Sequence, residues 1–403
     1  MSAAPSWLFV SNGHGEDHVG ASLALALRER RPALRLAAVP LVGRGAAYDA
    51  ARVPCLGPRA ELPSGGLTVH NPRAAVADLR AGLVRVTLAQ LAALRRARPQ
   101  HVVVVGDVYA HALASLVPAP RSVVQTLVSI RMHVPGQRVA WQRLFMERIG
   151  WPERRLMRGR VRAIYARDEQ TAAWLRSHGV AQARWLGNPM MDAVAQGRPL
   201  EGGDGRPVVA LLPGTRGYAA TSVRLMLAAL ARSGPVLGLV AWTHGQPPRE
   251  PGWQPCERRA PGLLAAWRHG DHGTAAEVWW LEGRFADVLA SAQAVVGTTG
   301  TGQEQAAGLG LPIVSFALPP DLSVAFLTNQ QRLLGAALRL VDADPAAIAA
   351  AVREALTDGP HRLAAAREGP LRMGPPGAAE RIAADMLAAS EASAAAGAAG
   401  APA

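Results

Sequence analysis

The chain has 403 residues, of which 49% are hydrophobic and 18% are charged, so it can bury a large core and global disorder is excluded. Its formal net charge is +13, and because the sequence contains no lysine, all 43 basic residues are arginines. A Walker-type phosphate lysine and a Schiff-base lysine are therefore excluded. The 2 cysteines, Cys55 and Cys256, are too few for a disulfide framework or a cysteine zinc site.

The sequence contains neither a long apolar run nor a recognisable secretory signal. Its apolar stretches end well short of the roughly 18 residues that a membrane helix needs. The N-terminus lacks a basic segment followed by an apolar one. We therefore expect a cytoplasmic protein. Its basic surface favours phosphates, acidic lipids or nucleic acid, and charge alone does not choose among them.

Short apolar runs alternate with amphipathic stretches from end to end, which is typical of βαβ units and parallel sheets. In the first half of the chain, residues 12–15 are predicted to form a turn. The strands predicted there are 7–10, 34–39, 101–105, 122–128 and 161–166, and the helices are 20–30 and 75–96.

A stretch rich in glycine, proline and aspartate separates this series from a second one. The strands predicted in the second series are 208–212, 235–242, 277–281, 294–296 and 312–316, and the helices are 219–232, 284–292, 303–309, 346–356 and 378–389.

The two series predict an α/β protein with two Rossmann-like, doubly wound domains. A cleft between them would hold the ligand at the carboxyl ends of the strands. The predicted boundaries are a first domain at 1–190, a linker at 191–206, a second domain at 207–376, a helix at 377–390 and a disordered tail at 391–403.

The first candidate site is the glycine-rich loop after the first predicted strand. Its residues are Asn12, Gly13, His14, Gly15, Glu16 and Asp17. Backbone N–H groups at a positive helix end suit an anion or a sugar hydroxyl. The alternative is a tight strand-to-helix turn in which Asp17 is an ordinary cap. A metal site is disfavoured because the side chains of adjacent residues diverge.

The second candidate is Asp107, which follows the valine-rich stretch at 101–105. A carboxylate at the end of a buried strand points towards the predicted cleft, where burial raises its pKa and favours a general base. The alternative is that Asp107 only caps the helix predicted to begin at Val108.

Two loops of the second domain suit a nucleotide diphosphate. In the first, Gly214, Thr215 and Arg216 follow a strand, and arginine binds phosphate oxygens bidentately. The second loop comprises Thr299, Gly300, Thr301, Gly302, Gln303 and Glu304. Its backbone N–H groups would contact phosphate and its glutamate the ribose hydroxyls. The alternatives are a solvated Arg216 and a Glu304 that only complements the helix dipole.

Nine arginines alternate with apolar side chains over residues 131–162. This pattern is typical of docking on an anionic membrane surface, here the inner face of the plasma membrane. The alternative is a helix that packs on the core and presents a solvated arginine face. Nucleic acid is disfavoured because no binding motif accompanies the charge.

Several of these motifs resemble those of lipid-A-disaccharide synthase. They are the segment Gly15-Glu-Asp17-His-Val-Gly20-Ala21, the loop Leu211–Arg216 and the segment Thr298–Glu304. The chain is more similar still to the lipid-A-disaccharide-synthase-related proteins of cyanobacteria and deinococci. Those proteins carry Ser-Asn-Gly-His-Gly-Glu-Asp, as at 11–17, Arg-Asp-x-x-Thr-Ala, as at 167–172, and Gly-Asn-Pro-Met-Met-Asp, as at 187–192.

The resemblance implies a GT-B fold and an inverting, metal-independent hexosyltransferase that uses a nucleotide-sugar, expected to be UDP-linked, and no cofactor. The acceptor would be lipid-linked, in glycolipid or envelope synthesis. Thr215 and Arg216 would contact diphosphate, Gly300–Gly302 phosphate and Glu304 the ribose. The base would be Asp107 or His14. The alternatives are a nucleotide-sugar epimerase of the same fold and a non-catalytic nucleotide-sugar-binding protein.

Overall fold

The computed structural model describes residues 6–59, 80, 82–133, 149–270 and 276–399. The chain divides into two compact units. Unit 1 comprises Met1–Met190 and Pro376–Ala403, and unit 2 comprises Met191–Pro375. The last segment of the chain therefore returns to the unit in which the chain begins.

Unit 1 is built on a six-stranded parallel sheet in the order β2-β1-β3-β4-β5-β6. Its strands are β1 (Ser6–Ser11), β2 (Arg35–Pro40), β3 (His101–Val105), β4 (Arg121–Val124), β5 (Val161–Tyr165) and β6 (Ala183–Arg184). Its helices are α1 (His14–Arg30), α2 (Ala46–Ala50), α3 (Leu83–Ala97), α4 (Val108–Ser115), α5 (Trp151–Met157) and α6 (Glu169–Ser177).

The central strand β3 matches its prediction residue for residue. All five of its residues are buried, because β3 lies between β1 and β4 and both of its faces are covered. Strand β4 is shorter than predicted and ends at Val124. Of the helix predicted at 75–96, residues 83–96 are helical, and most of its first part lies outside the described residues.

Helix α1 begins at His14, six residues before its predicted start at Gly20. Gly15, Glu16 and Asp17 therefore lie in the first helical turn and not in a loop. Two carboxylates in the first turn are favourable there, because they complement the positive end of the helix dipole. The strand-to-helix connection shortens to Asn12 and Gly13.

Helix α13 (Ala378–Ala399) packs on unit 1 and continues nine residues beyond its predicted end at 390. Ile382, Ala383 and Met386 are buried in the same core cluster as Phe9 and Leu23. Most of the segment predicted as a disordered tail is therefore helical, and residues 400–403 lie outside the described part.

Unit 2 is built on an eight-stranded sheet in the order β14-β13-β12-β7-β8-β11-β10-β9. Its strands are β7 (Val208–Leu212), β8 (Leu237–Ala241), β9 (Gln254–Pro255), β10 (Leu263–His269), β11 (Ala276–Leu281), β12 (Ala294–Gly297), β13 (Ile313–Phe316) and β14 (Leu338–Val341). Its helices are α7 (Ala219–Leu230), α8 (Phe285–Ser291), α9 (Thr301–Gly308), α10 (Val324–Leu334), α11 (Pro345–Ala355) and α12 (Pro360–Met373).

Most pairings in the second sheet are parallel, as predicted. The exceptions are at one edge, where β10 runs antiparallel to both β11 and β9. The elements of unit 2 that were not predicted from the sequence are β9, β10, β14, α10 and α12. None of the described helices is long and apolar enough to cross a membrane.

Residues 191–206, which were predicted as a linker, belong to unit 2. The Arg198 N–H donates to Asp287 Oδ1 at 2.7 Å, and the Leu200 N–H donates to Ser291 Oγ at 2.8 Å. At Gly197, a Cβ would lie 2.2 Å from the carbonyl oxygen of Ala286, so only glycine allows this approach. The first part of the segment is therefore fixed to α8.

Candidate functional site

The carboxyl edge of the first sheet brings together residues that follow three of its strands. Gly106 lies where they meet, after β3. A Cβ at Gly106 would lie 3.3 Å from Asn12 Cβ and 3.4 Å from Glu16 Cγ. The loop that follows β3 therefore touches the connection between β1 and α1, so Asp107 and Glu16 are neighbours.

Asp107 is the N-cap of α4. Its Oδ1 accepts hydrogen bonds from the N–H groups of Tyr109 at 3.0 Å and Ala110 at 3.3 Å. Asp107 therefore caps the helix, as the alternative interpretation predicted. Both capping hydrogen bonds are accepted by Oδ1, and Oδ2 takes no part in the cap. Burial raises the pKa of Asp107, while these backbone hydrogen bonds and Asn12 act in the opposite direction. A capped carboxyl of this kind can also serve as a general base.

Glu16 is the second buried carboxyl at this edge. Thr126, which follows β4, donates from Oγ1 to Glu16 Oε1 at 3.3 Å. Burial raises the pKa of Glu16, and the negative charge of Asp107 adds to the effect. A Cβ at Gly13 would lie 2.8 Å from Glu16 Oε2, so a larger residue there would have to displace the end of the Glu16 side chain.

Asp17 points into the packing of α1. Ser11 Oγ donates to Asp17 Oδ1 at 2.5 Å, and the Tyr48 hydroxyl donates to Ser11 Oγ at 3.1 Å. Asp17 is 2% exposed, so it links the end of β1 to α1 and α2. Its side chain is neither the N-cap predicted as an alternative nor an exposed group. Asp17 therefore supports the loop and does not line it.

His14 is the first residue of α1. Its side chain lies outside the described part of the chain, so its role as a base stays a prediction. Gly15 is an exposed residue of the first helical turn.

A third buried carboxyl, Glu153 on α5, was not predicted from the sequence. Glu153 is 2% exposed, and Gln125 Nε2 donates to its Oε1 at 2.7 Å. Burial and the negative charge of Asp107 raise the pKa of Glu153 to about 8. In the sequence this residue is one acid in a basic, apolar stretch, and its position in the first turn of a helix gives no sign that it is buried.

The Asp and Thr of the Arg-Asp-x-x-Thr motif at 167–171 have a structural role. Asp168 caps α6, accepting from the Thr171 N–H at 2.8 Å and from Thr171 Oγ1 at 2.9 Å. Its other oxygen accepts from Ser129 Oγ at 2.5 Å. The motif thereby fixes the segment that follows β4.

In unit 2, the loop after β7 turns at Gly214, which has a φ of +86°. Thr215 and Arg216 follow it and are exposed, where a ligand can reach them. His244 lies on the other side of the turn, with its Nε2 3.1 Å from the carbonyl oxygen of Gly214. A Cβ at Gly214 would lie 3.2 Å from Thr299 Cγ2, so this loop touches the loop after β12.

The loop after β12 leads into α9, which begins at Thr301 and continues through Gly302. Gly300 precedes the helix, and a Cβ there would lie 3.6 Å from Phe326 Cζ. Gln303, predicted as a nucleotide ligand, is fully buried. Its Nε2 donates to the carbonyl oxygen of Gly297 at 2.5 Å and to Ser315 Oγ at 2.9 Å. The Nε2 of Gln303 therefore braces the loop, and a contact of Gln303 with the nucleotide stays a prediction.

Glu304 is 5% exposed in the first turn of α9. Gln330 on α10 donates from Nε2 to Glu304 Oε1 at 3.3 Å. Gln330 was not predicted as part of this site, because α10 itself was not predicted. A glutamate that only complements the helix dipole does not need to be buried. The burial of Glu304 beside an amide donor therefore favours a further role for its carboxylate.

Within the described residues, no three His, Cys, Asp or Glu side chains are grouped so that they could hold a metal ion. Asp344, from a sequence that resembles a metal-binding Asp-x-Asp, caps α11 by accepting from the Ala347 N–H at 2.8 Å. The sequence His269-Gly-Asp-His272 also contains three possible metal ligands. His269 is the last residue of β10, and Asp271 and His272 lie outside the described part.

The basic stretch at 131–162 is described only at its two ends, because residues 134–148 lie outside the described part. The guanidinium of Arg154 lies 5.3 Å from the centre of the Trp174 ring and donates to the carbonyl oxygen of Ile149. Arg158 donates to the carbonyl oxygen of Gly179 at 3.0 Å. Trp151, by contrast, is 64% exposed. Part of the arginine set is thus used within unit 1.

No protein-family model and no curated protein matches this chain. Solved structures match it over almost its whole length. The glycotransferase of kitacinnamycin matches with a TM-score of 0.63 and 16% identity, over 96% of this chain and 100% of its own. A putative UDP-N-acetylglucosamine 2-epimerase from Listeria monocytogenes matches with a TM-score of 0.61 and 14% identity, over 96% and 97%. MurG from Acinetobacter baumannii matches with a TM-score of 0.54 and 13% identity, over 95% and 99%.

At these identities the likeness shows the fold. The chain has the GT-B fold, α/β with two Rossmann-like units on largely parallel sheets, and the predicted fold class is confirmed. The same fold is shared by nucleotide-sugar glycosyltransferases and UDP-N-acetylglucosamine 2-epimerases.

Proposed function

We propose that this chain is an inverting, metal-independent glycosyltransferase that moves a sugar from a UDP-sugar to an acceptor hydroxyl. The observation that carries the proposal is Glu304, a buried glutamate in the first turn of α9 directly after a glycine-rich loop. A carboxylate held in this way by Gln330 can accept both hydroxyls of a ribose. Structural likeness to proteins that act on UDP-sugars supports the choice of nucleotide.

The proposed donor site lies in unit 2. The backbone N–H groups of Gly300, Thr301 and Gly302 at the start of α9 would bind phosphate oxygens, because a helix N-terminus is partly positive. Thr215 and Arg216 would bind the diphosphate from the loop after β7 and neutralise it as it leaves. A metal ion is not required for that neutralisation, since Arg216 supplies the positive charge.

The proposed base is Asp107 in unit 1. Its Oδ2 would take the proton as the acceptor O–H bond breaks and the new bond from that oxygen to the anomeric carbon forms. The bond from the anomeric carbon to the diphosphate oxygen breaks, and the nucleoside diphosphate keeps the electron pair. Attack from the opposite face inverts the anomeric centre. His14 is the second candidate for the base.

We further propose, from the resemblance to lipid-A-disaccharide synthase, that the acceptor is linked to a lipid and that unit 1 docks on an anionic membrane surface. The exposed Trp151, the exposed Arg155 one turn later in α5 and the exposed Arg160 after the helix support this docking. Replacing both arginines with glutamine should reduce the fraction bound to anionic vesicles. The matched control replaces Arg95 and Arg96, two exposed arginines of α3. An equal loss in both variants would indicate a general charge effect and contradict the docking.

A nucleotide-sugar epimerase is the second candidate function. Epimerisation by proton transfer needs two acid–base groups, because a proton leaves one face of the sugar and returns to the other. The neighbouring carboxyls Asp107 and Glu16, both with raised pKa, could provide such a pair.

Product analysis tests both functions. The protein is incubated with each UDP-sugar of a panel, with and without a bacterial lipid extract, and the products are identified by mass spectrometry and nuclear magnetic resonance. A transferase yields UDP and an inverted glycoside only when the extract is present. An epimerase converts the UDP-sugar to its epimer without any extract. Binding of UDP-sugars with no product in either arm would leave the non-catalytic binding protein.

A further inference from the structure

We propose that three carboxyls of unit 1, Glu16, Asp107 and Glu153, bind a positively charged amine, so that the acceptor carries a free amino group close to the hydroxyl that reacts. We call these three residues the carboxyl cluster. This inference rests on the proposed function only in assigning the amine to the acceptor. The binding site itself depends on residues of unit 1 alone.

The first observation is that the carboxyl cluster has no cationic partner among the residues that the structure describes. Within the described residues, none of its three members forms an ion pair, although the chain has 43 arginines. Arg154 is adjacent to Glu153, but its guanidinium contacts Trp174 and the carbonyl oxygen of Ile149.

Glu277 in unit 2 shows how this protein otherwise treats a buried carboxylate. Glu277 is fully buried and forms ion pairs with Arg206 at 2.9 Å, Arg258 at 2.6 Å and Arg268 at 3.5 Å. Burial raises its pKa, but the hydrogen bonds from Arg258, Trp279 and Arg206 outweigh burial and lower the pKa to about 2. No described arginine forms such an ion pair with the carboxyl cluster, and burying unpaired carboxylates costs free energy.

The second observation is that three unsatisfied acceptor oxygens lie beside the cluster. Asn12 Oδ1, Gln125 Oε1 and Glu153 Oε2 are buried and make no hydrogen bond with any described residue. The three side chains are 9%, 5% and 2% exposed. Gln125 donates to Glu153, and Asn12 touches both Gly106 and Asp107, so these oxygens belong to the same site. Buried acceptors without donors are rare in native proteins.

An ammonium group meets both requirements at once. It carries a positive charge, which compensates the buried carboxylates, and three N–H donors for the unsatisfied oxygens. A neutral hydroxyl supplies one donor and no charge, so it would leave the carboxylates uncompensated. A phosphate would be repelled by the same charges. Asp107 is only half-buried, which gives a ligand access to the cluster from that side.

Binding of an amine should depend on pH because the cluster holds protons when it is empty. The pKa of Glu153 is raised to about 8, so below that pH an ammonium has to displace a proton from it. Affinity should therefore rise between pH 6 and pH 7.5. The charged or titratable groups on the neighbouring elements are Asp107 and His111 from α4 and its cap, Arg121 from β4, and Arg154 from α5 itself. Burial and Arg121 lower the pKa of His111 to about 4, so His111 does not titrate in this range.

The experiment measures how the full-length protein binds amino sugars and their neutral counterparts. The probes are methyl glucosides with an amine at carbon 2, 3 or 6, each compared with methyl glucoside by calorimetry at pH 6 and pH 7.5. We expect at least one amine to bind about tenfold more tightly than methyl glucoside at pH 7.5, with a smaller ratio at pH 6. Equal binding of all four probes would overturn the proposal.

Variants assign the preference to the cluster. Glu153→Gln and Glu16→Gln should each reduce the preference for the amine to about threefold or less, because each removes one negative charge with little change in shape. Glu169→Gln on α6 is the matched control, since it removes an exposed carboxylate of the same unit. A preference that survives in both cluster variants would place the amine elsewhere and contradict the proposal. If Glu153→Gln does not fold, Glu16→Gln and the unaltered protein carry the test.

A parallel arm keeps this inference separate from the proposed function. Thermal stabilisation by UDP is measured on the same samples, since a ligand that binds only the native state raises the melting temperature. Stabilisation by UDP without an amine preference overturns the amine site and leaves the transferase proposal in place. An amine preference without stabilisation by UDP supports the site and contradicts the UDP-sugar donor.

Discussion

Helix capping and proton acceptance by Asp107 can be tested separately, because each involves a different carboxylate oxygen. Oδ1 caps α4, and Oδ2 is the proposed base. We predict that Asp107→Asn keeps the fold, since the asparagine carbonyl oxygen also caps helices, but abolishes transfer because an amide does not accept the proton. Asp107→Ala should lose activity and also about 1 kcal/mol of stability with the cap. Urea unfolding and initial rates check both, and full activity in Asp107→Asn would leave His14 as the base.

Glu304 allows a similar separation in unit 2. Glu304→Ala should weaken UDP binding by about 1–3 kcal/mol, because two ribose hydroxyls lose their acceptor and Gln330 loses its partner. Glu304→Gln retains one acceptor oxygen and should show a smaller loss. Glu354→Gln, which removes an exposed carboxylate of α11, is the control. Calorimetry with UDP measures all three, and unchanged affinity in Glu304→Ala would contradict the ribose assignment.

At the scale of elements, α1 is fixed to α2 through a glycine. A Cβ at Gly20 would lie 2.0 Å from the Tyr48 hydroxyl oxygen and 2.8 Å from Tyr48 Cζ, and Tyr48 is fully buried. Gly20→Ala should therefore destabilise the protein by about 1–3 kcal/mol or more, despite the better helix propensity of alanine.

A double variant tests this cause. Tyr48→Phe removes the nearest clashing atom but also the hydrogen bond to Ser11, so alone it should cost about 1 kcal/mol. The loss of stability in Gly20→Ala/Tyr48→Phe should be smaller than the sum of the losses in the two single variants, because the clash is partly relieved. Strict additivity in urea unfolding would show that the contact with Tyr48 is not what excludes alanine.

The elements also show which features a sequence predicts. Buried parallel strands such as β3 are continuous apolar runs, so their bounds were predicted well. Asp107 and Glu304 were identified because each lies in a strand-to-helix connection, where parallel sheets place ligands. Glu153 and Gln330 lie on helices distant in sequence from Asp107 and Glu304. Only tertiary packing brings Glu153 close to Asp107 and Gln330 close to Glu304. The start of α1 was misplaced because its glycines indicated a loop, whereas helix packing and two first-turn carboxylates favour helix.

At the scale of the whole molecule, unit 1 is assembled from both ends of the chain. Helix α13 covers the sheet beside α1, and Asp385 on it accepts from the Tyr165 hydroxyl at 2.7 Å and pairs with Arg184 at 2.5 Å. The folding of unit 1 should consequently depend on residues that are synthesised only after unit 2 is complete.

Ile382 makes this dependence measurable. It is fully buried in the core cluster of unit 1, so Ile382→Ala should lower the free energy of unfolding of unit 1 by about 2–5 kcal/mol. The described members of this cluster all belong to unit 1, so the unfolding of unit 2 and its UDP binding should stay unchanged. The control Glu391→Ala removes an exposed ion pair with Arg31 and should cost less than about 1 kcal/mol. Hydrogen exchange in urea, followed by mass spectrometry, resolves the two units. Equal destabilisation of both by Ile382→Ala would mean that they unfold as one cooperative body, and loss in unit 2 alone would contradict the docking of α13 on unit 1.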